Sequence, residues 1–508
     1  MSAAPRRRRG GAGVLLLALA LAGCGTTVPL SQQRAASGLS GGVDQLPGQD
    51  DSGSPDQPGV VATQGTGVTS PGDPAAPGQP SSAPGSTTTA GGGTGPTVGP
   101  PATETAQKPL KIGLLGITAA GSAAGAIGAS TDQGVTPSQA LQAVAASYSK
   151  TGGLAGRRFT TVLYELDPSG DFQRQLNQAC QTFTQDNHVD VVVSEDAAND
   201  EVLSSCLTKA RIPRVSSAYG TSNAAAYATY PYSRQVGGAN GDRRMSTLIT
   251  RSAAAGSLTK ASRVGVLVED CPRNRSVYEQ TVAPALHRVG VASTTVAYAN
   301  CITSFGAAGA ASSQTTSAIL RFASQRVDRV MIVSNFEGTL LLFFSAAAEQ
   351  QGYRPDYLLT SDAIVATLQA SFPEQQMVHM SGWGWLAASD ETRGNRPSTG
   401  PQKACVTRLF SGGRQPKSNL DFLAGYAACD AFASLDRALA GSHGDSHAAP
   451  LLAALDAAAP SLDLASLVDG KVVLNARRHD GPSRVRRFGY TSGCGCFAYT
   501  GTSQEMNP

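Results

Sequence analysis

Lys111-Ile-Gly-Leu-Leu-Gly116, a loop rich in Gly, Ala and Ser, a helix-forming stretch, Thr151-Gly-Gly-Leu-Ala-Gly-Arg-Arg-Phe159 and then Thr160-Thr-Val-Leu-Tyr-Glu165 decide the fold of this chain. The first run is apolar and too short for a lone helix, and the last has the β-branched and aromatic character of a strand. Gly152, Gly153 and Gly156 follow the helix and supply the left-handed backbone that a chain needs to reverse into the next strand. Strand, helix, strand in this order is a βαβ unit, and such a crossover makes its two strands parallel.

The same alternation continues. Strand-like runs fall at 189–193, 213–215, 263–269, 292–297, 329–333 and 357–359, with helix-like runs at 199–210, 241–254, 276–289, 315–325 and 338–351. Regular alternation of this kind predicts an α/β protein of doubly wound parallel sheets and excludes a β sandwich or a helical bundle. The apolar positions Phe422, Leu423, Tyr426, Ala427, Phe432 and Leu435 predict an amphipathic helix over 421–440.

Gly152, Gly153, Gly156, Arg157 and Asp167 stand where the type I periplasmic binding proteins for branched-chain amino acids carry a Gly-Gly-x-x-Gly-Arg turn and a strand ending near an Asp. From about 109 to 499 the chain resembles that family in the order and spacing of its elements. The resemblance implies two doubly wound lobes joined by three hinge crossings, expected near Gln235, Trp385 and Val468. The first lobe would hold 109–236 and 386–467, and the second 237–385 and 468–508. The family is one of solute receptors for ABC importers, so the resemblance implies a monomeric receptor with no cofactor, a small-molecule solute, and a membrane permease as partner.

The amino terminus carries four consecutive arginines, a short apolar run and Leu21-Ala22-Gly23-Cys24. This reads as a secretion signal, too short for a membrane span. Its last four residues resemble a bacterial lipobox, which implies a lipid-bearing Cys24 and a protein anchored at the outer face of the cytoplasmic membrane. From 25 to 108 there is no Phe, Tyr or Trp, and Gly, Pro, Ser and Thr dominate, so a disordered tether is expected there. As a flexible coil it would reach roughly 50 Å.

A formal net charge of +3 over 508 residues, without a basic stripe interleaved with aromatics, argues against a nucleic-acid partner. Of the nine cysteines, eight remain once Cys24 is given to lipid, an even number that suits disulfides in an exported protein. Cys180 and Cys206 fall on helices expected to be neighbours on one sheet face, and Cys271 and Cys301 follow strands whose ends should be adjacent. Those two pairs are expected. Cys405, Cys429, Cys494 and Cys496 are left with their pairing open. No His stands at ligand spacing beside a cysteine, so no metal site is expected.

In open parallel sheets ligands bind at the carboxyl ends of strands, where helix N-termini offer backbone N–H groups to an anion. An amino acid would place its carboxylate there and its ammonium against an acid from the facing lobe. Ser194, and Ser217, Ala218, Tyr219 and Thr221 in the loop that begins at Ser216, match the family's two carboxylate-holding loops. Asp362 stands where the family carries the ammonium-holding acid, and Phe336 where relatives place an aromatic ring over the ligand. Each has a plainer reading: a helix cap for Ser194 and Asp362, a core staple for Phe336. The likeness breaks at Glu269-Asp-Cys-Pro-Arg-Asn274, where relatives show a short Tyr-Gly turn. Glu195 and Asp196 read as helix-start charges. Trp383 and Trp385, the two tryptophans, sit at an expected crossing.

The chain lacks a Gly-x-Ser-x-Gly elbow, a phosphate loop, His-Glu-x-x-His and a dinucleotide fingerprint, so no catalytic candidate emerges and an enzyme is not expected. The leading reading is a receptor for a small polar solute such as an amino acid. The alternative is a surface sensor or envelope interaction protein built on the same lobes.

Overall fold

The structure, a computed structural model, describes residues 108–118, 133–195, 200–217 and 223–507. The secretion signal, Cys24 and the tether up to residue 107 lie outside the described residues, as do Asp196, Ala218, Tyr219 and Thr221.

The opening stretch forms the expected unit. Strand β1 (Leu110–Ile117) pairs in parallel with β2 (Phe159–Leu166) along its whole length, across the helix Pro137–Lys150. That helix starts with a capping box between Thr136 and Gln139 and carries Pro137 in its first turn, where a missing N–H costs nothing. After it, Gly152, Gly153 and Gly156 all adopt positive φ, at 103°, 94° and 78°. Strands β3 (Val191–Ser194), β4 (Arg214–Ser216) and β5 (Ser233–Gln235) complete a five-stranded, wholly parallel sheet in the order β2-β1-β3-β4-β5.

The second sheet has seven strands: β6 (Arg263–Asp270), β7 (Ser293–Asn300), β8 (Arg329–Val333), β9 (Asp356–Leu359), β10 (Met380–Gly384), β11 (Arg484–Thr491) and β12 (Cys496–Glu505). Its order is β12-β11-β10-β9-β8-β6-β7. The parallel part, β7-β6-β8-β9-β10, repeats the order of the smaller sheet, so both have their topological switch beside the first strand. The larger sheet is mixed rather than wholly parallel. β10–β11 and β11–β12 are antiparallel, the latter because a turn of a few residues after Thr491 can only fold a strand back on its neighbour. The expected helix over 276–289 is also broken: a π-helical turn, Tyr278–Val282, separates Pro272–Val277 from Ala283–Arg288. Pro284 lacks the N–H that would bond one turn back, and the widened turn absorbs that gap.

Segment 386–467 returns to the smaller sheet. Leu409, Phe432, Leu435 and Leu451 from its helices share one apolar core with Leu114 and Val193. Each such fully buried side chain contributes about 2 kcal/mol of transfer free energy. The longest helix, Asn419–Gly441, exceeds the expected span by a residue or two at each end and lays Phe432 on Tyr148, ring centroids 5.9 Å apart. Three passages of chain run side by side between the sheets. Gln235 donates its N–H to His479 O at 2.7 Å, Val468 donates to Trp385 O at 2.8 Å, and the Trp385 indole N–H donates to Gly237 O at 3.1 Å.

Four disulfides join Cys180 to Cys206, Cys271 to Cys301, Cys405 to Cys429 and Cys494 to Cys496. Among the described residues no helix is long and apolar enough to cross a membrane.

Candidate functional site

The carboxyl ends of the two sheets face each other. The loop after β2 and the loop after β7 exchange backbone hydrogen bonds, Phe172 N–H to Thr303 O and Phe305 N–H to Pro168 O, each 3.0 Å. Asp167 shapes the first loop by accepting from Ser169 N–H at 2.9 Å and Ser169 O–H at 2.7 Å, bonds that hold its carboxyl below the usual carboxylate range. Beside these loops Arg273, after β6, pairs with Glu201 on the helix after β3 at 2.9 Å. The rim of the cleft is thus tied by the protein's own groups.

Inside, the strand ends carry polar side chains of two kinds. Some are saturated. Glu269, at the end of β6, accepts from Ile302 N–H (2.8 Å), Ser334 O–H (2.8 Å), Asn335 N–H (3.0 Å) and Asn274 Nδ2 (3.0 Å). Four donors on one carboxylate make Glu269 the post that fixes both flanking loops. Burial still pushes its carboxyl above the ordinary value. With Cys271 and Cys301 it forms a tight cluster of donor atoms, but both sulfurs are spent in a disulfide and offer no thiolate to a metal.

Others are buried and take no partner among the described residues: Glu195 Oε2, Ser216 Oγ, Ser217 Oγ and Gln235 Nε2 at the ends of β3, β4 and β5, and Asn335 Oδ1, Asp362 Oδ1 and Arg244 Nε on the side of the larger sheet. A buried polar atom without a partner costs about 1–3 kcal/mol, so each of these atoms is a position that another polar atom would stabilise.

The residues singled out in the sequence fall as follows. Ser194 is fully buried and its hydroxyl accepts from Arg214 Nε at 2.7 Å. Ser217 is buried beside the first chain passage, where a Cβ on Gly237 would come 2.3 Å from its hydroxyl. Phe336 stacks on Phe172 (6.0 Å) and meets Phe305 edge-on (5.3 Å), an aromatic contact across the rim. Asp362 forms an ion pair with Arg244, whose Nη2 also donates to Ser334 O at 2.6 Å. Trp385 is buried between the chain passages, and Trp383 packs at the edge of two apolar cores.

Sequence reasoning missed Arg244 and misread Glu195. Arg244 lies in the first turns of the helix Gly241–Ala254, within no motif, and burial lowers its pKa against the opposing pull of Glu337 and Glu269. Glu195 is not a solvated helix-start charge: burial raises its carboxyl well above the ordinary range, and its N–H extends the sheet by donating to Leu115 O. Its place directly after β3 was the one available signal. Glu337, raised by burial and relieved in part by Arg244 and by Thr360 N–H and O–H, completes the inner ring.

Two doubly wound sheets of matching strand order, joined by three passages and facing through their carboxyl ends, define the architecture. The chain has the type I periplasmic binding protein fold. It is similar to a possible leucine/isoleucine/valine-binding protein from Rhodopirellula baltica, with a TM-score of 0.55 at 14% identity over 80% of this chain and 98% of that one. A solute-binding protein of an ABC transporter from Rhodopseudomonas palustris in complex with p-hydroxybenzoic acid matches with 0.55 at 13% identity, over 79% and 98%. An ABC transporter substrate-binding protein from Desulfitobacterium hafniense in complex with Leu matches with 0.52 at 14%, over 77% and 100%. No family model matches the sequence, and no curated protein matches it.

Proposed function

We propose that this protein is a non-enzymatic receptor that takes a small carboxylate-bearing solute, an amino acid or related compound, into the cleft between its two sheets and presents it to an ABC importer. In this reading 109–236 with 386–467 and 237–385 with 468–508 are the two lobes, and Cys24 carries the lipid anchor. The observation that carries it is the set of buried, unpartnered polar atoms at the facing strand ends. The solute's carboxylate would meet the Ser217 hydroxyl and the loop containing Ala218, Tyr219 and Thr221, with Ser194 behind. Its donor groups would meet Asp362 Oδ1, beside the wall formed by Phe336. The solutes in the two complexes above, Leu and p-hydroxybenzoic acid, both carry a carboxylate.

The test is a thermal-shift and calorimetric panel of amino acids and aromatic carboxylates. A saturable ligand should raise the melting temperature, and Ser217→Ala should weaken it. A micromolar collector needs about 8 kcal/mol of binding free energy.

One observation favours a second reading, a surface sensor or envelope partner that takes up no solute. Asp362 is already paired with Arg244, and the rim is already bridged by Phe172, Phe305 and Arg273. If no solute in the panel moves the melting temperature, that reading stands.

A further inference from the structure

A second concavity, of about 320 Å³, lies apart from the cleft and shares none of its residues. It opens where the helix Ala224–Thr229 beside the smaller sheet meets the helices Gly241–Ala254 and Ala283–Arg288 beside the larger one, under the passage that carries Arg477 and Arg478. Four arginines line it, Arg243, Arg288, Arg477 and Arg478, against two carboxylates, Asp242 and Asp480.

Both carboxylates are occupied. Asp480 pairs with Arg243 Nη1 and accepts from Asn240 N–H at 3.2 Å and Nδ2 at 3.1 Å. Asp242 accepts from Ala224 N–H at 2.9 Å and Thr281 O–H at 2.6 Å. Two of the guanidiniums are crowded together: Arg243 Nη2 and Arg478 Nη2 both donate to Pro482 O, at 2.9 and 2.6 Å. Burial, and next the charge of Arg243, push the Arg478 guanidinium down to about 10, and Asp480 offsets only part of this. The Arg288 and Arg477 side chains are exposed and, among the described residues, form no ion pair or hydrogen bond. The pocket is therefore a concave surface with an excess of two positive charges, two of its cations free to swing inward. An exposed arginine alone is ordinarily just solvated. Two that flank a hollow already strained by like charge are a different case, because an anion there relieves repulsion as well as forming bidentate bonds.

We propose that this pocket is a second binding site, for a small dianionic oxyanion of the phosphate or dicarboxylate type, gripped by Arg288 and Arg477 over the Arg243–Arg478 pair. Its size falls at the low end of small-molecule sites, which suits such a ligand.

The test is calorimetric titration of the full-length protein with inorganic phosphate and, separately, with succinate, ionic strength being held constant with chloride. Saturable binding of at least one probe is expected, weakened about tenfold or more in the double variant Arg288→Ala with Arg477→Ala. Both side chains are exposed, so the variant should melt within a few degrees of the parent. Binding of phosphate alone or of succinate alone would name the anion class. Failure of both probes to saturate, or equal affinity in the double variant, would overturn the proposal. The solute cleft is unaffected by either result, since none of these residues belongs to it.

Discussion

Arg244 and Asp362 form an ion pair in which each side chain is only 2% exposed. Removing Asp362 leaves Arg244 buried with only Glu337 and Glu269 to offset it, whereas removing both partners takes that charge away as well. Asp362→Ala should therefore cost about 3–5 kcal/mol in urea unfolding, and the volume-matched double variant Arg244→Met with Asp362→Leu should recover most of that loss. Equal instability of the single and double variants would mean that the pair is not coupled.

The disulfides differ in the chain they enclose. Cys405 and Cys429 are 24 residues apart and join the helices Gly400–Ser411 and Asn419–Gly441, while Cys494 and Cys496 are 2 apart within one turn. On the loop-closure argument, replacing Cys405 and Cys429 by Ala should cost about 3 kcal/mol, and replacing Cys494 and Cys496 less than about 2 kcal/mol. Denaturant midpoints of the two double variants check the ranking.

Two glycines of the reversal after the first helix separate conformational from steric cost. At Gly156 (φ 78°) a Cβ would meet nothing within 4 Å, whereas at Gly153 (φ 94°) it would lie 2.1 Å from Arg157 O. Gly156→Ala should destabilise by about 1 kcal/mol, the backbone cost alone. Gly153→Ala should cost clearly more, read as a larger drop in melting temperature.

Burial raises the carboxyls of Asp390 and Asp430 to about 7, against about 3.9 for an unfolded Asp. The folded state then holds more protons than the unfolded one between roughly pH 4 and 7, so stability falls as pH rises through that window. Glu349 behaves oppositely. Hydrogen bonds from Arg354 and then Gln376 hold it at about 2, so its contribution is present above the unfolded value and lost as pH falls below roughly 4. The melting temperature should be higher at pH 5 than at pH 8, and Asp390→Asn should flatten that difference. A protein more stable at pH 8 would contradict the assignment.

Much of the site was hidden for the same reason that part of the fold was. Strands β11 and β12 carry Arg486, Arg487, Thr500, Thr502 and Gln504 alongside Val485, Phe488, Cys496 and Phe497, and only those four are buried apolar residues. A hairpin that covers one face at the edge of a sheet has no continuous apolar run to announce it. Arg244 was likewise invisible, since nothing around it distinguishes a buried arginine from the solvated ones elsewhere on helices.

The sequence by itself determined the alternation of elements, the reversals at Gly152, Gly153 and Gly156, and the parallel sense of strands joined through a helix, because these depend on neighbours a few residues apart. Only the tertiary structure decided which buried polar groups satisfy one another and which stay open. It set Arg244 against Asp362, four donors around Glu269, and Phe172 against Phe336 across the rim. Such pairings join residues far apart in the chain, and their energy exists only once water has been excluded from the space between them.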